Sequence, residues 1–241
     1  MAVRSLYQEP EHAPEARRIE WPALEFHDVF KIFHSGPVET VALRGVSFKV
    51  HLGELVAILG PSGCGKSTLL SLAAALDQPS AGEVRSHGAS LARLDEDELA
   101  EYRARDLAVV FQSDNLWPVL SARENVELGL RLAGAEEIRD RAQSALASFG
   151  LAKRAGNRPA ALSGGEQQRV AIAAAAAREA KLLLADEPTG ELDAGNEESV
   201  LEALERLRSE HGVTVLVVTH SNAVADAADR VIEMRDGRKV A

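Results

Sequence analysis

The stretch Gly60-Pro61-Ser62-Gly63-Cys64-Gly65-Lys66-Ser67-Thr68 spaces its glycines, lysine and hydroxyls as G-x-x-x-x-G-K-[ST]. Glycines in such a loop let backbone N–H groups turn inward around an anion with no Cβ in the way. A helix starting after Lys66 would add unpaired N–H donors and the positive end of its dipole. Lys66 would bring a point charge to the β- and γ-phosphates, and Ser67 would offer a hydroxyl to Mg2+. A glycine turn carrying Lys-Ser by accident would lack the flanks found here. The apolar run Leu55-Val56-Ala57-Ile58-Leu59 leads in, and a helical pattern leads out. Cys64 lies beside this helix start and Lys66, a setting that favours thiolate. Alkylation that ATP blocks is the expected behaviour.

A second cluster, Leu182-Leu183-Leu184-Ala185-Asp186-Glu187-Pro188, is an apolar strand ending in two acids. A carboxylate at the C-terminal end of a parallel strand points into the crevice where ligands bind. Asp186 suits Mg2+, directly or through water. Glu187 suits a general base that polarises an attacking water. Acids at a strand end are ordinarily only solvated; a phosphate loop upstream in the same chain favours the catalytic reading.

A third cluster, Leu162-Ser163-Gly164-Gly165-Glu166-Gln167-Gln168-Arg169, opens a long helix. Ser163 and Glu166 have capping-box spacing, yet capping alone does not call for two glycines after the serine. A hydroxyl, exposed N–H groups and a helix N-terminus make a second phosphate-binding surface. A single nucleotide has one γ-phosphate, so two such surfaces in one chain suggest that one serves a neighbouring copy.

These residues need elements to hold them. Continuous apolar runs at Leu55–Leu59, Ala108–Phe111, Leu182–Ala185 and Val213–Val218 suggest strands buried on both faces, as in a parallel sheet. Helical patterns at Ser67–Ala75, Gly165–Glu179 and Asn196–His211 separate them, which is an α/β signature. Before this core, Glu25–Val29 and Val46–Val50 alternate in type and suggest half-buried antiparallel strands. The region from about Ser113 to Ala161 reads as a helical insertion, with helices at Ala122–Ala133 and Glu136–Phe149. Val231–Met234, Asp236-Gly237 and Lys239-Val240 read as a short hairpin. Residues 1–20 are polar and read as a flexible N-terminal extension, with a single domain over 21–241.

Composition narrows the function classes. The 241 residues carry a formal net charge of -10 and only 4% aromatics. Phosphate-backbone binding draws on Lys and Arg, and single strands are bound by stacking rings, so nucleic acid is not an expected partner. An electrostatic hold on anionic lipid is disfavoured for the same reason. One cysteine fits a reducing compartment, and no apolar run approaches a membrane span. The expected place is the cytoplasmic face of a membrane, reached through a protein partner.

The phosphate loop, Leu162–Arg169 and Leu184-Ala185-Asp186-Glu187-Pro188 together resemble the ATPase subunits of ABC transporters, from about Ala23 to Lys239. The resemblance implies the ABC ATPase fold: a P-loop NTPase core of mostly parallel sheet, an antiparallel N-terminal β subdomain and a helical insertion. It implies a head-to-tail dimer around two ATP, each phosphate loop facing Ser163, Gly164 and Gly165 of the other copy. By similarity, Gln112 senses Mg2+ and water and its loop faces a membrane permease. His220 contacts the γ-phosphate, Asp193 lies in the loop that couples the two sites, and Phe33 stacks on adenine.

Asn115–Val126 and Glu187–Asp193 resemble the subgroup that serves lipoprotein release, macrolide export and cell division, whose membrane subunits have few helices and a large extracytoplasmic domain. Amino-acid importer ATPases share much of this pattern, and soluble non-transport ABC ATPases are a further alternative. Some positions depart from the family's pattern. Phe33 replaces a frequent Tyr, Glu191 a usual Asn, and Ser221 a frequent Asp. Ala173-Ala174-Ala175-Ala176 stands where Ala-Arg-Ala-Leu is usual, which puts one local contact of that Arg in doubt.

Overall fold

The computed structural model describes residues 21–36 and 38–240; the extension expected over residues 1–20 lies outside the described residues. The chain first forms a long antiparallel pair, β1 (Leu24–Ser35) and β2 (Val38–Val50). Alternation in β2 buries Val46, Phe48 and Val50 and leaves Ser47 and Lys49 in solvent, as a pleated strand with one covered face requires. The strand β3 (Leu55–Leu59) and the helix α1 (Lys66–Ala73) bracket the glycine loop. Then β4 (Ala81–Ser86) and β5 (Ala89–Ser90) complete an antiparallel sheet in the order β2-β1-β4-β5.

The helix α2 (Glu96–Glu101) has a full capping box from Asp95 and Glu98. It runs through a π-helical turn at Tyr102–Asp106 into β6 (Leu107–Val110). Three helices follow: α3 (Ala122–Leu132), α4 (Ile138–Ser148) and α5 (Gly164–Ala177). The remaining elements are β7 (Leu182–Asp186), α6 (Ala194–His211), β8 (Thr214–Thr219), α7 (Asn222–Ala227), β9 (Arg230–Arg235) and β10 (Arg238–Lys239).

The second sheet has the order β10-β9-β3-β8-β7-β6, parallel throughout except for the antiparallel edge strand β10. Its two faces feed two cores. Leu183, Ala185, Val215 and Val217 pack with α3, α4, α5 and α6. Leu182, Leu184, Leu216 and Val218 pack with α1 and the antiparallel sheet. This double burial is why these strands are apolar at successive positions, and each buried Leu contributes about 2 kcal/mol of transfer free energy. The C-terminal ends of β3, β6, β7 and β8 converge on one rim, where an open α/β sheet binds ligands.

Sequence patterns left β4, β5, α2 and α7 unread. Only Val84 and Ser86 of β4 are buried, and its strand state rests on pairing with the distant β1. The helices α2 and α7 span six residues each, too short for a period to show.

Candidate active site

The glycine loop is held by close packing. Gly65 sits at φ 104° as the N-cap of α1, and a Cβ there would lie 2.7 Å from the Ala42 carbonyl oxygen. At Gly60 a Cβ would overlap the Met234 carbonyl oxygen and lie 2.6 Å from Cys64 Sγ. No acidic residue occupies the first turn of α1, so none of the helix's own side chains offsets its positive end. Lys66 is buried, and its Nζ donates to the carbonyl oxygens of Gly60 at 2.7 Å and Pro61 at 3.2 Å.

These groups open onto a cavity of about 710 Å³ that also brings in Gln112, Asp186, Glu187 and His220. Gly60, Pro61, Ser62, Gly63, Gly65, Ser67 and Thr68 line it as well. Cys64 does not: its side chain is 4% exposed and belongs to the core beneath the loop. The expectation of an accessible, reactive thiol is therefore corrected, because the turn that presents its neighbours' backbone sends Sγ the other way.

Asp186 ends β7 half-buried. Burial raises its carboxyl above the ordinary value, a Ser67 hydrogen bond pulls it down, the Glu187 charge raises it and the Lys66 charge lowers it. Glu187, one residue on, has φ 47°, an unusual conformation for a bulky residue. Its N–H donates to the Val218 carbonyl at 2.8 Å, which ties this turn to β8. Its carboxylate is fixed from the same side: Oε2 accepts from Thr219 Oγ1 at 3.0 Å and from the His220 N–H at 3.1 Å. His220 Nδ1 lies 2.9 Å from Oε1. A proton on Nδ1 leaves Nε2 for a second partner.

Gln112 follows β6, and its Nε2 donates to Glu191 Oε1 at 3.1 Å. The loop that carries it is pinned to α5 by Gln168, which is 4% exposed. Gln168 Nε2 donates to the carbonyls of Phe111 at 2.9 Å and Gln112 at 2.8 Å, and its Oε1 accepts from Asn115 Nδ2 at 2.9 Å. Sequence reasoning passed over Gln168 as part of a helix. The available signal was a polar residue on the stripe Gly165, Gln168, Ile172 and Ala175, all of which are buried.

The third cluster stands apart from this cavity. Ser163 caps α5 through a complete capping box with Glu166. The Ser163 N–H and Arg154 both hold the Glu166 carboxylate below its ordinary range, the backbone bond more strongly. A Cβ on Gly165 would lie 2.6 Å from Asn196 Oδ1, and one on Gly164 would lie 2.9 Å from Leu192 Cδ2. The glycines thus seat α5 against the start of α6, where Asp193 is the N-cap and accepts from the Asn196 N–H at 2.9 Å. Ser163, Gly164, Gly165, Glu166 and Asp193 are not among the residues lining the cavity. Phe33 lies outside it too, but pairs across the strands with Thr40, which does line it. The Phe33 ring is 43% exposed and has Lys31 Nζ 5.0 Å from its centroid.

The alanine run carries no Arg at its second position, and the next Arg along the helix is Arg178. Ala174 packs against the core edge, and Arg178 donates to the carbonyls of Ala104 and Leu107, both at 3.1 Å.

The sequence model of the ABC transporter family matches residues 43–190. The chain is 48% identical over 217 residues to an uncharacterized ABC transporter ATP-binding protein of Thermotoga maritima, covering 89% of this chain and 92% of that one. It is 45% identical over 222 residues to the macrolide export ATP-binding/permease protein MacB of Azoarcus sp., covering 91% of this chain but 34% of that protein. It thus spans about a third of the length of the macrolide export relatives it matches. Among solved structures, a dimeric ATP-binding cassette in a post-hydrolysis state bound to ADP and Pi superposes with a TM-score of 0.82 at 42% identity, covering 90% of this chain and 97% of that one. The protein cbiO1 of Clostridium perfringens, part of an ABC transporter complex, gives the same TM-score of 0.82 at 29% identity, covering 92% of this chain and 88% of that one. A phosphate loop, an acid-ended strand and this kinship lead to one conclusion: the chain belongs to the ABC transporter ATP-binding family and is a nucleotide-binding ATPase.

Proposed function

We propose that two copies close head to tail around two Mg·ATP, and that the resulting cycle drives a membrane permease of the export or mechanical-coupling kind. The observation that carries this reading is the position of Ser163 and Gly164: both are exposed at the N-terminus of α5, away from the cavity of their own phosphate loop. A helix start that offers N–H groups and a hydroxyl to phosphate suits a ligand held by another copy. The dimeric state of the related cassette supports the same arrangement.

In each site Lys66 neutralises phosphate charge and the loop amides cradle it. Ser67 and Asp186, with Gln112 on the same cavity, would hold Mg2+. A hydroxyl with one half-buried carboxylate suits an ion that keeps waters and takes the rest of its shell from phosphate oxygens. The ion, when bound, offsets charge on the β- and γ-phosphate oxygens. Glu187, held by Thr219 and His220, takes a proton from the attacking water as its oxygen bonds the γ-phosphorus and ADP leaves. His220 lines the same cavity, and with Nδ1 on Glu187 its Nε2 would be the atom left to contact the γ-phosphate.

The permease partner is supported by the macrolide export relatives, whose name joins ATP-binding and permease functions. It is supported also by two exposed apolar side chains close after Gln112, Trp117 at 64% and Val119 at 68% exposure. Their loop is fixed by Asn125, which accepts from the Trp117 N–H at 2.7 Å. Among the described residues no helix is long and apolar enough to cross a membrane. Peripheral attachment at the cytoplasmic face follows from this partner.

The test is capture of tagged Glu187→Gln protein with Mg·ATP from solubilised membranes, together with its mass by light scattering. The expected result is an ATP-dependent dimer carrying a few-helix subunit with a large extracytoplasmic domain. An importer-type permease would move the assignment to uptake. Ribosomal or DNA-associated proteins without any membrane subunit would overturn the transport reading and leave the ATPase standing.

A further inference from the structure

The carboxylate of Glu197, on the first turn of α6, has no place in the mechanism above, yet it is the end of a hydrogen-bonded chain that reaches Glu187. Its Oε1 accepts from Ser221 Oγ at 2.7 Å and from Thr189 Oγ1 at 3.1 Å. The Ser221 N–H donates to Thr219 Oγ1 at 3.0 Å, and Thr219 Oγ1 donates to Glu187 Oε2 at 3.0 Å. Thr189 is 4% exposed and Thr219 is fully buried, so water does not compete freely for either hydroxyl.

We propose that Glu197 is a positioning residue for ATP hydrolysis, acting through Ser221 and Thr219 on the carboxylate of Glu187. A hydroxyl has one proton. Because the Ser221 N–H occupies a lone pair of Thr219 Oγ1, the threonine proton is directed to Glu187. The Ser221 backbone holds that place because its own hydroxyl is tied to Glu197. Without the tie, the Ser221 hydroxyl keeps only its 3.4 Å bond from the Val224 N–H, and the Ser221 carbonyl accepts from the Ala225 N–H at 3.3 Å, so the residue is held to α7 and turns with that helix. Glu187 at φ 47° depends on such outside support. The neighbour of Glu197, Asn196, abuts Gly165, so the same helical turn touches both the glycines of the second phosphate surface and the chain leading to the base.

This inference rests on the assignment of Glu187 as base, and the test separates the two. Steady-state ATPase is measured on the full chain for Glu197→Ala, Ser221→Ala, the double variant and Glu197→Gln, with Glu187→Gln alongside. The glutamine variant at 197 keeps an oxygen that accepts from both hydroxyls. The expected result is that Glu197→Ala and Ser221→Ala each lower kcat about tenfold at unchanged KM for ATP, from a base held in the wrong place. The double variant should be no worse than either single one, and Glu197→Gln should recover most of the loss. A purely structural role for Glu197 would instead lower Tm and raise KM, with multiplicative losses in the double variant, and would overturn the proposal. Wild-type kcat in Glu197→Ala beside an inactive Glu187→Gln overturns the positioning role alone. Wild-type turnover in Glu187→Gln overturns the base assignment and the positioning role together.

Discussion

Gln168→Met deletes hydrogen bonds from the joint between α5 and the Gln112 loop while keeping the volume of the side chain. The bonds lost are those to the Phe111 and Gln112 carbonyls, at 2.9 and 2.8 Å, and the one from Asn115 Nδ2 at 2.9 Å. Each is worth about 1 kcal/mol net. Phe111 and Gln112 are exposed, so their carbonyls regain part of this from water. The net loss is therefore about 2 kcal/mol, which for a domain of this size lowers Tm by roughly 4–8 °C. Thermal unfolding followed by circular dichroism reads the shift. Gln168→Ala is the comparison, because it adds a cavity to the same lost bonds and should fall further. ATPase activity should drop in both variants, since Gln112 then keeps only its bond to Glu191. A Tm within about 1 °C of wild type for Gln168→Met would refute the reasoning. It would mean that water or a rearranged loop replaces the pinning at no cost.

Asp186→Asn should stabilise the nucleotide-free chain while abolishing Mg2+-dependent turnover. Burial raises the Asp186 carboxyl, so folding takes up a proton between the ordinary carboxylate value and the raised one. Stability from this group is greatest below that window and is lost as pH climbs through it; the asparagine variant should lack this loss, which paired melts at acid and neutral pH would show as a gap that widens with pH. Cys64, buried under the loop, should react slowly with alkylating agents in the native chain. Time courses by mass spectrometry with and without ATP check this, and rapid labelling that ATP prevents would show that the loop opens enough to expose the core.

What could be read in the sequence was local or doubly buried. The glycine loop lies in one short stretch between a strand and a helix, and its spacing is the chemistry. The runs at β3, β7 and β8 were legible because both faces are covered, which forces apolar residues at successive positions. The strand β4 was not, because pairing with β1 across a long stretch of chain decides its state. The same holds within the site. Glu187 was legible next to Asp186 at a strand end. Its supports were not, because Thr219, Ser221 and Glu197 come together only when β7, β8 and α6 are packed. Gln168 hid in a helix whose neighbouring residues had already been assigned to capping. Cys64 misled because proximity to Lys66 in the chain says nothing about which side of the turn its sulfur takes.

The most direct test of the catalytic account is single-turnover hydrolysis of radiolabelled ATP by Glu187→Gln against wild type, with nucleotide affinity measured in parallel. The expected result is near-wild-type binding with hydrolysis slowed by roughly 10²-fold or more, the usual contribution of a positioned general base. Hydrolysis at the wild-type rate, with binding intact, would contradict it and remove Glu187 from the chemistry.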